Sequence, residues 1–144
     1  MSLAMTKEER EAFLAGVHVG VISVEEPGRG PLTAPIWYGY EPGGDVWIIT
    51  GEDSRKGKLL KAAKRFSLVA QQEEAPYKYV SVEGPITSIE DGSGPDATRP
   101  LAHRYLGKEM GDQYADGSPH DGNICVRMKP ERWLTVDYAK MALG

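Results

Sequence analysis

The stretch Ile49-Thr50-Gly51-Glu52-Asp53-Ser54-Arg55-Lys56-Gly57-Lys58-Leu59-Leu60 changes character twice. It opens as the end of a β-forming run, Val46-Trp47-Ile48-Ile49-Thr50, passes through a polar turn, and restarts at Ser54, a good helix N-cap. A helix beginning there leaves its first N–H groups unpaired, which concentrates about half a positive charge at that end. Arg55 and Lys56 add full charges on the same turn, and Ser54 can donate a further hydrogen bond. Arginine can grip a phosphate at two points and lysine acts as a point charge. A solvated basic helix face would also explain such a run. However, cations at a helix N-terminus cost a few tenths of a kcal/mol unless an anion offsets them. A phosphate held where a strand ends also suits a ligand lying across a barrel.

Working outward, residues 55–65 hold six basic side chains and no acidic one, while the net charge of the chain is −4. The remainder therefore carries about ten surplus acidic charges, and the basic segment stands alone. An isolated patch of this kind points to a small anionic ligand, because nucleic-acid binders spread charge over a face interleaved with aromatics. The 144 residues suit one hydrophobic core, and 40% apolar with 26% charged residues is an ordinary globular balance. No apolar run reaches the roughly 18 residues of a membrane span. Met1-Ser2-Leu3 reads as an appended leader with Met5 as the native start, so residues 1–4 are set aside and 5–144 form the expected domain. One cysteine and no secretory pattern suit a reducing cytoplasm. His18, His103, His120 and Cys125 lack zinc-ligand spacing, so no metal is expected.

Thr6-Lys7-Glu8-Glu9 fits a capping box opening a short helix with Phe13 and Leu14 on its apolar side, ended by Gly16. Val17 to Val24 alternates as a strand, with Val17, Val19 and Val21 on one face and Ile22 and Val24 on the other. A second strand runs through Ile36, Trp37, Tyr38 and Tyr40, and a third covers Val46 to Thr50. The basic helix spans residues 55–64, burying Leu59, Leu60 and Ala63. Phe66, Leu68 and Ala70 mark a fourth strand. Val80, Val82 and Ile86 mark a fifth, interrupted at Gly84-Pro85 by a bulge or bend. Loops at 91–96 and 116–122 flank a helical segment carrying Leu101, Tyr105 and Leu106, and a long final strand runs from Ile124 to Val136. Six antiparallel strands with a few short helices predict a small, mainly β barrel.

The combination of Ile49-Thr50, Ser54-Arg55-Lys56-Gly57-Lys58-Leu59-Leu60 and Val80-Ser81-Val82-Glu83-Gly84 resembles the pyridoxamine 5'-phosphate oxidase-like FMN-binding split β-barrel superfamily. The likeness covers residues 10–90 well and the last strand loosely. It implies a homodimer with cofactor sites in grooves between subunits. Ser54, Arg55, Lys56 and Lys58 would serve the phosphate, and Ile49 and Thr50 the ribityl chain or ring edge. Thr33, Ala34, Pro35, Ile36 and Trp37 would run beside the ring, with Tyr79 and Trp133 reaching it from other strands.

Departures from that pattern point away from a vitamin B6 oxidase. Where the true oxidases carry a phosphate Arg and a substrate Lys on strand two, this chain has Ala34 and Gly39. Tyr79 replaces a flavin-contacting Gln, and residues 130–137 lack the basic, histidine-containing substrate cluster. The chain resembles more closely the branch that uses FMN or the deazaflavin coenzyme F-420, whose polyglutamate tail Lys56, Lys58 and Lys61 could meet. The reading is an oxidoreductase passing a hydride between such a cofactor and a small unsaturated substrate. The competing reading is a non-catalytic carrier of a flavin or haem-like ligand on the same fold. No catalytic side chain stands out, as expected where the cofactor carries the chemistry. Cys125 reads as a packed thiol, His120 as part of a turn, His103 as a surface residue and Tyr105 as helix packing.

Overall fold

The computed structural model describes residues 2–141; Met1 of the expected leader and residues 142–144 of the expected domain lie outside them. Helix α1 (Lys7–Ala15) has the anticipated capping box: the Thr6 hydroxyl accepts the Glu9 amide at 3.2 Å and the Glu9 carboxylate accepts the Thr6 amide at 2.9 Å. Strand β1 (Gly20–Val24) begins later than its alternation suggests. Its facing is as expected, with Ile22 and Val24 buried while Val17, Val19 and Val21 stay exposed. Strand β2 (Leu32–Ile36) ends before Trp37, shorter than predicted. There follow β3 (Val46–Gly51), α2 (Arg55–Ala63), β4 (Arg65–Gln72), β5 (Lys78–Asp91), α3 (Pro95–Gly117), β6 (Asn123–Met128), β7 (Arg132–Asp137) and a 3-10 turn, Tyr138–Lys140.

The strands pair antiparallel in the order β2-β1-β4-β5-β6-β3. Beyond β2, the chain makes one bridge to β3: the Gly39 amide donates to the Trp47 carbonyl at 2.8 Å, and the Trp47 amide returns to Gly39 at 3.0 Å. That bridge closes the ring of six strands. Its interior is filled by Leu14, Ile22, Tyr38, Ile48, Leu60, Leu68 and Met128, and the Tyr38 hydroxyl donates to the Leu14 carbonyl at 2.7 Å. The chain is thus mainly β, an antiparallel split barrel with three helices.

The predicted final strand is in fact two strands. β6 pairs with β3 and the second half of β5, whereas β7 pairs with the first half of β5, Lys78 to Glu83. The chain must cross β5 between them, and residues 129–131 make the crossing. The Lys129 amide donates to the Pro85 carbonyl at 3.0 Å and the Glu131 amide to the Glu83 carbonyl at 2.9 Å. A side chain at Gly84 would overlap the Lys129 carbonyl oxygen. This close approach explains the Gly84-Pro85 interruption, and a register shift follows between Ile86 and Ser88.

Candidate functional site

Past the Gly39–Trp47 bridge the edges of β2 and β3 part. Ile36 and Trp37 face Ile49 and Thr50 across an open seam holding a cavity of about 330 Å³. Helix α3 and the loop after it supply the outer wall through Thr98, Leu101, Tyr114 and His120. On the side of β2 away from the seam, Tyr105 links the chain to the segment before β1: the Tyr38 amide donates to the Tyr105 phenol oxygen at 3.1 Å, and that hydroxyl donates to the His18 carbonyl at 2.6 Å. The Trp37 ring lies parallel on Tyr105, 4.9 Å between centroids, and is tilted against Tyr114 at 5.5 Å. His120 is buried, with Nε2 2.8 Å from the Ala115 carbonyl and Nδ1 3.4 Å from the Thr98 hydroxyl. Facing a carbonyl oxygen, Nε2 is the donor in the first of these contacts.

At the Thr50 end of the seam, α2 begins. Ser54 caps it, its hydroxyl accepting the Gly57 amide at 3.0 Å and donating to the Gly51 carbonyl at 2.7 Å. That proton is therefore committed to the loop rather than turned outward. A side chain at Gly57 would overlap the Gly51 carbonyl oxygen, so only glycine lets the first turn sit on the end of β3. The loop is anchored from the other side by the Glu52 amide, which donates to the Gly122 carbonyl at 2.7 Å. Arg55 is held at two points by Glu26, its Nε 2.9 Å from Oε2 and its other contact through Nη2 to Oε1. Lys61 is paired with Glu52. Lys56 makes no ion pair among the described residues, and partial burial pushes its ammonium below the usual lysine range.

Of the residues singled out from sequence, Ile36, Trp37, Ile49 and Thr50 meet at the seam, and Ser54, Arg55 and Lys56 stand at its end. Lys58 is exposed further along α2. Thr33 and Pro35 are exposed on the outer face of β2, with Ala34 packed against the core. Tyr79 lies on β5, separated from β2 by β1 and β4. Trp133 packs on Tyr40 and Arg10, at the Val46 end of β3. The wall formed by α3 was missed: Thr98 and Tyr114 drew no attention, and His120 read as a plain turn. His103 is not a free surface residue either. Its Nε2 lies 2.6 Å from Asp112 Oδ1, which Arg99 also binds at 2.9 Å, across the break in α3 at Gly107. Cys125 is half-buried, and desolvation pushes its thiol up, as suits a packed side chain.

The family model described as pyridoxamine 5'-phosphate oxidase matches residues 6–137, nearly the whole chain. The chain belongs to the pyridoxamine 5'-phosphate oxidase family. Solved structures with the same fold include a conserved hypothetical protein of Mycobacterium tuberculosis, 23% identical with a TM-score of 0.74, over 99% of this chain and 94% of that one. An F-420 reductase matches at 17% identity and a TM-score of 0.74, over 86% of this chain and 94% of its own. An FAD-binding protein of Mesorhizobium loti matches at 20% identity and a TM-score of 0.67, over 92% and 94%. No curated protein matches the sequence. Each of these structural likenesses lies below 25% identity and is a likeness of fold. No helix of the described residues is long and apolar enough to cross a membrane.

Proposed function

We propose that the chain is an oxidoreductase that holds FMN, or alternatively the deazaflavin coenzyme F-420, by its phosphate at the start of α2, with the ring in the β2–β3 seam. The observation that carries this reading is the join of the seam cavity to a helix N-terminus with an unpaired, partly desolvated lysine. Ser54 takes the Gly57 and Lys58 amides, and the Arg55 and Lys56 amides before them have no hydrogen-bond acceptor among the described residues. A cavity of about 330 Å³ is within the range of small-molecule sites. Its lining mixes apolar and aromatic side chains (Ile36, Trp37, Ile49, Leu101, Tyr114) with polar ones (Thr50, Thr98, His120, Asn123), which suits a ring system with polar edges.

A bound flavin or deazaflavin supplies the hydride chemistry. The protein's share is placement: Trp37, fixed by Tyr105, and Ile36 and Ile49 shield the ring from water, while Thr50 offers a hydroxyl. The acceptor or donor is a small unsaturated molecule stacked on the exposed side of the ring. Lys61 is engaged by Glu52, leaving Lys56 and Lys58 for a polyglutamate tail, which favours FMN.

The functional unit in this reading is a homodimer. Support comes from the outer face of the sheet, where Pro35, Val21, Val69, Ser81 and Leu134 stand in one row across β2, β1, β4, β5 and β7. Val17, Val19 and Leu134 are each more than half exposed, an apolar band that a second copy would cover. Thr33, Pro35 and Tyr79 share that face and would approach a cofactor from there, whereas Trp133 faces Tyr40 and Arg10 on the other side of the sheet.

The test is fluorescence titration with FMN and, separately, with coenzyme F-420, on the native chain and on Arg55→Ala/Lys56→Ala. Saturable binding of one cofactor, weakened about tenfold or more by the double substitution, is expected. Reoxidation of the reduced cofactor by an unsaturated substrate separates an enzyme from a carrier. Absence of binding below about 100 μM for both cofactors defeats the reading.

A further inference from the structure

A second cavity, of about 420 Å³, lies at the end of β3 away from α2, between α1, the turn before β3 and the crossing at residues 129–131. Its wall is aromatic. Trp133 meets Tyr40 edge-on at 6.4 Å, and the Arg10 guanidinium lies 4.7 Å from the centre of the Trp133 ring.

Two polar atoms at this cavity are buried without a hydrogen-bond partner: the Tyr40 hydroxyl and Arg10 Nε. Tyr40 is only 4% exposed, and although the Gly43 amide faces its hydroxyl oxygen, the hydroxyl proton has no acceptor among the described residues. Buried donors are almost always paired, so two orphans on one cavity mark where ligand atoms belong.

The lining holds three cations and three carboxylates, but they are unevenly paired. Glu11 is paired with Lys7 at 3.2 Å and Glu131 with Arg65 at 3.1 Å, and Asp45 accepts the Thr87 hydroxyl at 2.7 Å. Arg10 and Lys129 have no carboxylate partner among the described residues. An acceptor is therefore wanted by Arg10 Nε, negative charge by both cations, and a flat or compact apolar body by Trp133.

We propose that this cavity binds a small organic carboxylate. Its carboxylate is held by Arg10 and Lys129 with a hydrogen bond from the Tyr40 hydroxyl, and its apolar body lies against Trp133. This site is separate from the seam and stands whether or not a flavin binds there.

The experiment follows the indole N–H resonances of the three tryptophans by NMR, with Trp133 identified through Trp133→Phe, during titration with benzoate, acetate and inorganic phosphate. Benzoate is expected to shift the Trp133 resonance saturably with half-saturation below about 1 mM, leaving Trp37 unmoved. Acetate should bind about tenfold more weakly for want of the ring. Arg10→Gln should weaken benzoate at least about tenfold, Tyr40→Phe about threefold, and Arg10→Lys should not restore binding because the Nε–H is gone. No saturation up to about 50 mM, unchanged binding in Arg10→Gln, or phosphate binding as tightly as benzoate would each overturn the proposal. Arg10 sits on the outer helix α1, so its variants decide the matter even if Tyr40→Phe fails to fold.

Discussion

Glu26 and Arg55, 29 positions apart, form a two-point ion pair that joins the turn after β1 to the first residue of α2. The same carboxylate lies 3.7 Å from Arg29 and is held below the usual glutamate range, first by its hydrogen bond from Arg55. A phosphate arriving at α2 must compete with this carboxylate for the guanidinium. Glu26→Gln is therefore expected to tighten FMN binding about threefold, whereas Arg55→Ala weakens it about tenfold. Fluorescence titration of both variants measures the two effects, and weaker binding in Glu26→Gln would show that the pair positions Arg55 instead of restraining it.

Lys56 makes the opposite trade. Partial burial depresses its pKa, so the charged form is disfavoured in the folded protein, and that destabilisation is present at neutral pH and relieved as pH rises through the folded pKa. Lys56→Met should raise the melting temperature of the ligand-free protein by about 1 °C near neutral pH and lose that advantage at high pH. The same variant should bind FMN more weakly. Melting curves across pH with and without FMN separate the two consequences.

Gly57 marks where the helix touches the strand it follows. Because any β-carbon would overlap the Gly51 carbonyl, Gly57→Ala should destabilise the fold by about 2–4 kcal/mol by forcing α2 off the loop. Denaturant unfolding gives the value. A loss below about 0.5 kcal/mol would mean that the loop yields freely.

Tyr105→Phe keeps the ring on Trp37 and removes only the oxygen. The Tyr38 amide and the His18 carbonyl then lose their partner, at a cost of about 1–3 kcal/mol. Hydrogen exchange at the Tyr38 amide should accelerate more than at the neighbouring core strands, which localises the change to the join between Tyr38 and His18.

Glu9 carries an acid-side signature. Its hydrogen bond from Lys140, followed by the Thr6 amide, lowers its pKa to about 2 from an ordinary 4.5. Its stabilising effect is full above the ordinary value and is lost as pH falls toward about 2. Glu9→Gln should flatten that part of the stability profile, as followed by thermal melts at stepped pH.

What could be read in advance follows the range of the interactions. The capping box at Thr6 and Glu9, the Ser54 cap and the facing of β1 are set by residues within a few positions of each other, and all three are visible as spacing. The breakdown of the last strand depends on the crossing over Gly84, more than forty positions earlier, so Lys129-Pro130-Glu131 reads as strand until β5 is in place. The seam wall is hidden for the same reason. Nothing local in Tyr105 or Tyr114 says that they will meet Trp37, and no spacing pairs Arg55 with Glu26. The basic helix and its Ser54 cap were legible as a cluster of cations at a helix start, yet which of those cations remain unpaired is a tertiary fact.

A ring of strands joined everywhere except one edge divides the work of inheritance. Substitutions in the continuous strands are judged by the core, while those in α3 are judged by what fits beneath it, because that helix touches the seam through few side chains. Changes confined to that covering segment would therefore reshape the seam cavity while leaving the barrel core untouched. In this chain the segment spells Thr98, Leu101, Tyr105 and Tyr114.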